Sequence, residues 1–251
     1  MTEKYELTKE NVKTSCGITL HRIRALRDFG DVKAGDLGGF IESEKNLSHK
    51  GDCWIGGNAH VYDDARIHDN AQIFGNAQVF INAQVRGKAK VYGDTVVYDD
   101  AQVYGDAKVY GNVEVRGNAE ISDDAKVCGN AEVLGNAEIS GNAKVYGNAW
   151  VIDNAQVYGD AWVGDDVKVY GNARVHDNAR VYGDAWVGDD AKVYGNARVH
   201  DNARIFGKAR VFGEAQICNR AHVAGSVRIF GDAEICNSAQ VYYQEWVPVL
   251  R

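Results

Sequence analysis

A valine or isoleucine occupies every sixth position from Ile55 to Val241, 32 in succession, 23 Val and 9 Ile, with no insertion or deletion. Four residues after each comes a second small apolar position, Ala at 27 of 31 sites and Thr95, Val113, Val167 or Val227 at the others. The unit, a hexad, reads Val-Tyr-Gly-Asn-Ala-Arg at 169–174. A six-residue period is neither helical nor a plain strand alternation, and a fixed short period points to a solenoid of stacked coils.

The chemistry of the hexad sets its geometry. The β-branched residue suits a short strand and points inward while its two neighbours point outward. Gly-Asn or Gly-Asp supplies a corner, because Gly adopts positive φ at no steric cost and Asn or Asp tolerates it better than other residues. Ala is then small enough to turn inward beneath the corner. Three such sides, three hexads in all, close one coil. Each strand then bonds to the strand three hexads on, with Val and Ala ladders filling the interior.

This unit resembles the hexapeptide repeat of left-handed parallel β-helix proteins, a family that includes many bacterial acyltransferases. The inward aliphatic residue matches Val157, Val163 and Val169, and the small corner residue Ala155, Ala161 and Val167. The resemblance covers Ile55 to Val241 and implies an all-β fold: a single-stranded, left-handed, three-sided parallel β-helix of about 11 coils. It also implies a homo-oligomer, specifically a trimer. A right-handed, bactofilin-like filament is the alternative.

Composition agrees with one continuous body. Pro248 is the only proline, so no proline-rich linker divides the 251 residues. There is no apolar run long enough to span a membrane and no signal-peptide pattern, which predicts a cytoplasmic chain with no membrane partner. Five irregularly spaced cysteines suit a reducing compartment. The net charge of -7 argues against a double-stranded nucleic acid partner.

Outside the repeat, residues 1–36 predict a hairpin cap, with strands at Asn11–Ser15 and Ile18–Leu26 about Cys16-Gly17. The repeat is assigned to 37–242 and a capping tail to 243–251. Counting back by three hexads from Ile55 places Leu37, Ile41, Leu47 and Cys53 in the inward slots of a first coil, into which Ser43 and His49 do not fit. His21–Leu26 and Gly35–Glu42 are similar to the N-terminal segment of YdcK-like and phage-borne hexapeptide proteins.

Candidate chemistry lies on the outward columns. Arg174, Lys192, Arg210 and Arg228 stand three hexads apart, beside His176, Tyr194, Phe212 and Phe230. Basic and aromatic residues together suit an anionic, ring-bearing ligand such as a nucleotide. Trp162 falls between Lys144 and Arg180, and Trp150 and Trp186 flank Lys168, an arrangement for cation-π stacking. The column Tyr182, His200, Cys218, Cys236 offers a His and two thiols but no fourth zinc ligand, so no metal site is assigned and the cysteines read as surface thiols. Val157–Arg180 recurs as Val181–Arg204 with one change, Val167 against Ala191, which indicates selection for regularity or drift rather than for one constellation.

The reading these features favour is a non-enzymatic structural or binding protein that engages a partner protein or an anionic ligand and needs no cofactor. No loop is ejected between residues 55 and 241, and the histidines there stand in outward slots. The alternative is a hexapeptide-class acyltransferase using acyl-CoA, with His176 or His200 as general base.

Overall fold

The computed structural model describes residues 3–242 and 246–247. They form two compact units, Met1–Asp123 and Asp124–Arg251. Among the described residues no helix is long and apolar enough to cross a membrane.

In both units the hexad folds as its chemistry dictates. The branched residues from Ile55 to Ile229 are at most 1% exposed. Strands are mostly dipeptides, such as Lys144–Val145, and pair in parallel with strands three hexads away, so that Val145 aligns with Val163 and Val163 with Val181. The resulting three-sided parallel β-helix has an aliphatic interior and three outward faces per unit.

Each corner turns through one residue at positive φ, Gly147 at +72° or Asp177 at +60°. Only the aspartate also supplies an acceptor for the next coil. Asp165 Oδ2 accepts from the Gly183 N–H at 3.0 Å, and Asp189 Oδ2 from the Gly207 N–H at 2.9 Å. The neighbouring corner residue forms amide ladders: Asn136 donates to Asn154, Asn154 to Asn172, and Asn172 to Asp190, at 2.9, 3.2 and 3.0 Å. The ladder ends there because an ionised carboxylate can only accept.

The first unit opens with an antiparallel hairpin, β1 (Tyr5–Lys13) and β2 (Thr19–Ala25), followed by β3 (Leu37–Ile41). The first strand therefore begins well before Asn11. β3 is antiparallel to β2 but parallel to His60–Val61, joining the cap to the coils. Lys4 is fully buried, and its ammonium donates to the carbonyl of Cys53 at 2.8 Å; the Tyr5 hydroxyl donates to Leu47 O at 2.7 Å.

The first coil corrects the slot assignment. Ile41 aligns with Val61 and Leu47 with Ile67, whereas Ile55 aligns with Ile73 at the regular three-hexad spacing. The first two pairs are each separated by two positions more than the third. Two extra residues therefore lie between Leu47 and Ile55, and Ser43 and His49 fail to fit because they are not slots. Ile41, Leu47 and Cys53 are buried as expected, but Leu37 is 56% exposed because it pairs with Arg24 in the cap. At the other end, Trp246–Val247 pairs with Arg228–Ile229, extending the ladder past residue 242; the rest of 243–251 lies outside the described residues.

Val145→Asp, which places an unpaired charge in an aliphatic interior, should cost several kcal/mol and yield insoluble or unfolded protein. Tyr146→Ser, one residue on and facing outward, should cost only about 1 kcal/mol. Soluble yield and thermal melting distinguish the two variants.

Candidate functional site

On one face of the second unit the strands beginning at Gln156, Arg174, Lys192, Arg210 and Arg228 pair in sequence and in register. This places Arg174, Lys192, Arg210 and Arg228 on adjacent rungs, as the three-hexad spacing predicts. Like charges directly opposite on paired strands repel. Among the described residues none of the four is ion-paired with a carboxylate, and Arg174, Arg210 and Arg228 are exposed.

The other two faces of this unit treat their cations differently. Trp162 is sandwiched by Lys144 at 4.4 Å and Arg180 at 5.1 Å. Lys168 lies between Trp150 and Trp186, at 4.7 and 4.8 Å, and Arg204 covers Trp186 at 5.0 Å. There tryptophans stand between Lys144 and Arg180 and between Lys168 and Arg204, as the column spacing implies, although Lys126 pairs directly with Lys144 and Arg180 with Arg198. The Arg174 column carries four cations on adjacent rungs with no tryptophan among them.

Beside it the rings stack along the ladder. Tyr158 and His176 are 4.7 Å apart, His176 and Tyr194 5.0 Å, Tyr194 and Phe212 4.9 Å, and Phe212 and Phe230 5.5 Å. Both faces of His176, Tyr194 and Phe212 are thus covered by neighbouring rings. A ligand would meet ring edges, not the open stacking platform that the composition of the column suggests.

His176 Nδ1 lies 3.2 Å from Asp177 Oδ1, and its side chain is 17% exposed. Asp177 also accepts from the Gly195 N–H at 3.1 Å. The His176 contact, with the Gly195 amide assisting, holds the Asp177 carboxyl below its ordinary range against a smaller opposing effect of burial. Burial raises the pKa of the Tyr158 phenol despite Arg174 nearby. His200 repeats the arrangement, 3.1 Å from Asp201 and stacked on Tyr182 at 4.9 Å. In the first unit His68 lies 3.3 Å from Asp69.

These His-Asp pairs are a histidine with an orienting carboxylate, the arrangement that frees one ring nitrogen as a base. Sequence reasoning singled out His176 and His200 but passed over Asp177 and Asp201. The signal was the dipeptide itself in Val-His-Asp-Asn-Ala-Arg, in which a corner residue also orients its neighbour. The duplication does not bring the two histidines together: His176 follows Arg174–Val175 and His200 follows Arg198–Val199, whose strands belong to different sheets.

The expectation of free thiols fails at one place. Register between Gln216–Ile217 and Glu234–Ile235 sets Cys218 and Cys236 on adjoining rungs, Cα atoms 4.6 Å apart, and they form a disulfide. Cys16, Cys53 and Cys128 are free.

Unbroken hexads, three-hexad pairing and positive-φ corners decide the class. The chain is a hexapeptide-repeat β-solenoid. The YdcK beta solenoid repeat family model matches residues 173–189 of the solenoid, a segment that contains His176 and Asp177. The chain is 39% identical over 59 residues to the uncharacterized acetyltransferase YdcK of Escherichia coli K12, a match covering 21% of this chain and 18% of that protein's length. It also aligns with the crystal structure of UDP-N-acetylglucosamine O-acyltransferase (LpxA) from Moraxella catarrhalis RH4, at 17% identity and a TM-score of 0.30, over 78% of this chain and 70% of that one.

Because the carboxyl of Asp177 is held below its ordinary range, it contributes stability that is present above about pH 4, the unfolded value, and is lost as pH falls through the folded value. Asp177→Asn keeps an acceptor for Gly195 but does not titrate. Between pH 5 and pH 3 its melting temperature should therefore fall less than that of the parent protein.

Proposed function

We propose that this solenoid is an acyltransferase of the hexapeptide class, taking an acyl-CoA donor on the face that carries His176. The observation that carries the reading is the His176–Asp177 pair, 3.2 Å apart beside the cations of the Arg174 column. The likeness to an acetyltransferase in name supports it over the non-enzymatic reading that the absence of an ejected loop favoured.

Each group has a role. Nδ1–H of His176 donates to Asp177, leaving Nε2 as the base, and the rings of Tyr158 and Tyr194 hold the imidazole's orientation. His176 takes the proton of an acceptor hydroxyl or amine as that group attacks the thioester carbonyl. The tetrahedral intermediate then expels the CoA thiolate, which recovers the proton from the imidazolium. Arg174, Lys192, Arg210 and Arg228 receive the donor's phosphates, and the edges of Tyr194, Phe212 and Phe230 flank them. His200, with Asp201, is the second candidate base.

The specific observation favouring a non-enzymatic reading is that the same His-Asp pair occurs at His68, His176 and His200, as a regular consequence of the hexad. On that reading the basic column is a binding surface for an anionic ligand or partner protein and no group is transferred.

Calorimetry with acetyl-CoA, together with release of free CoA in the presence of a panel of amine and hydroxyl acceptors, separates the readings. The proposal expects binding that weakens with salt and is lost when the four basic residues are changed to Gln. It also expects CoA release that falls by about a hundredfold or more in His176→Gln. Binding without release points to the non-enzymatic reading, and release unchanged in both His176→Gln and His200→Gln removes these histidines from the chemistry.

A further inference from the structure

The second unit carries another cluster, on a different face from His176. Cys218 and Cys236 follow the paired strands Gln216–Ile217 and Glu234–Ile235, so their side chains leave the ladder on adjoining rungs in the same direction. Glu234 begins the strand that precedes Cys236, and its Oε1 lies 3.5 Å from Cys236 Sγ. The two sulfurs and the carboxylate oxygen all lie within 4.8 Å of one another. Cys218 is buried, Cys236 is half-buried and Glu234 is exposed, so the cluster opens to solvent on one side.

We propose that in the reduced protein Cys218, Cys236 and Glu234 bind a zinc ion. Two thiolates select a borderline-soft cation over magnesium or calcium, which require oxygen ligands. Three protein ligands leave a fourth tetrahedral position, as in open zinc sites. That position falls to water; His200, on the rung adjoining Cys218 with its Nδ1 held by Asp201, stands outside the cluster. Glu234 is the ligand missing from the column of His200 and the two cysteines. It was overlooked because it stands two residues before Cys236, in the neighbouring outward column.

The site has two exclusive states. As a disulfide the sulfurs cannot ligate zinc. A dithiol reductant transfers two electrons and two protons to the Cys218–Cys236 bond and itself becomes a disulfide. Zinc then displaces the two thiol protons and binds the thiolates.

The test uses the full chain, reduced with a dithiol, desalted without oxygen and titrated with cobalt(II), then with zinc against a chromophoric chelator. The expected result is one equivalent of metal, with a thiolate-to-cobalt charge-transfer band that zinc abolishes and that is absent from the oxidised protein. Cys236→Ser should remove the band, and Glu234→Gln should weaken zinc binding by about tenfold or more. The Cys16→Ser/Cys128→Ser double variant should keep the band, and circular dichroism should confirm that every variant remains folded. A reduced, folded protein that gives no band, or a band unchanged in Cys236→Ser, overturns the proposal.

Discussion

Everything in this protein depends on closing a corner every six residues without interrupting an aliphatic interior. The branched residue fixes one side, the alanine leaves room beneath the turn, and the residue between them must accept positive φ. Where glycine does this, the corner supplies conformational freedom alone. Where aspartate does it, as at Asp165, Asp177, Asp189 and Asp201, the carboxylate also accepts the amide of the coil below. The backbone strain of the left-handed region is offset by a hydrogen bond that stitches successive coils.

A parallel ladder in strict register brings identical chemistry into contact. Stacked aromatics and amide chains turn this to stability, as in the run from Tyr158 to Phe230 and the chain from Asn136 to Asp190. Charge does not tolerate repetition so easily. On two faces of the second unit tryptophans cover Lys144, Lys168, Arg180 and Arg204, although Arg180 still pairs with Arg198, whereas the third sets four cations on adjacent rungs with no tryptophan among them. On that contrast rests the proposal that the Arg174 face receives an anionic donor.

The interior was legible in the sequence because one uninterrupted period determined it: from Ile55 to Ile229 every predicted inward branched residue is buried. The cation-π columns were legible for the same reason, since register follows from counting by three hexads. The first coil was not, because two residues inserted between Leu47 and Ile55 have no local signature beyond the misfit of Ser43 and His49. At the candidate site the columns were readable, but not how the rings lie. Stacking along the ladder covers the faces of His176 and Tyr194, and the orienting role of Asp177 depends on a corner conformation that residue type alone does not reveal. The disulfide was missed although the three-hexad spacing of Cys218 and Cys236 was plain, because closeness of the Cα atoms was outweighed by the parallel exit of the side chains.

If the coils are interchangeable as structure while the Arg174 face is specific as chemistry, two deletions should separate the properties. Removing Val181–Arg198, one full coil, keeps every later residue on its own face and sets Arg210 on the rung after Arg174. Removing Val181–Arg204 rotates later residues by one side and sets Gln216 there instead. The decisive measurement is acetyl-CoA binding by calorimetry on both proteins, with thermal melting on the same samples. Our account predicts that both fold with similar melting temperatures and that only the full-coil deletion binds. Equal binding by the two folded proteins, or unfolding of the longer deletion alone, would contradict it.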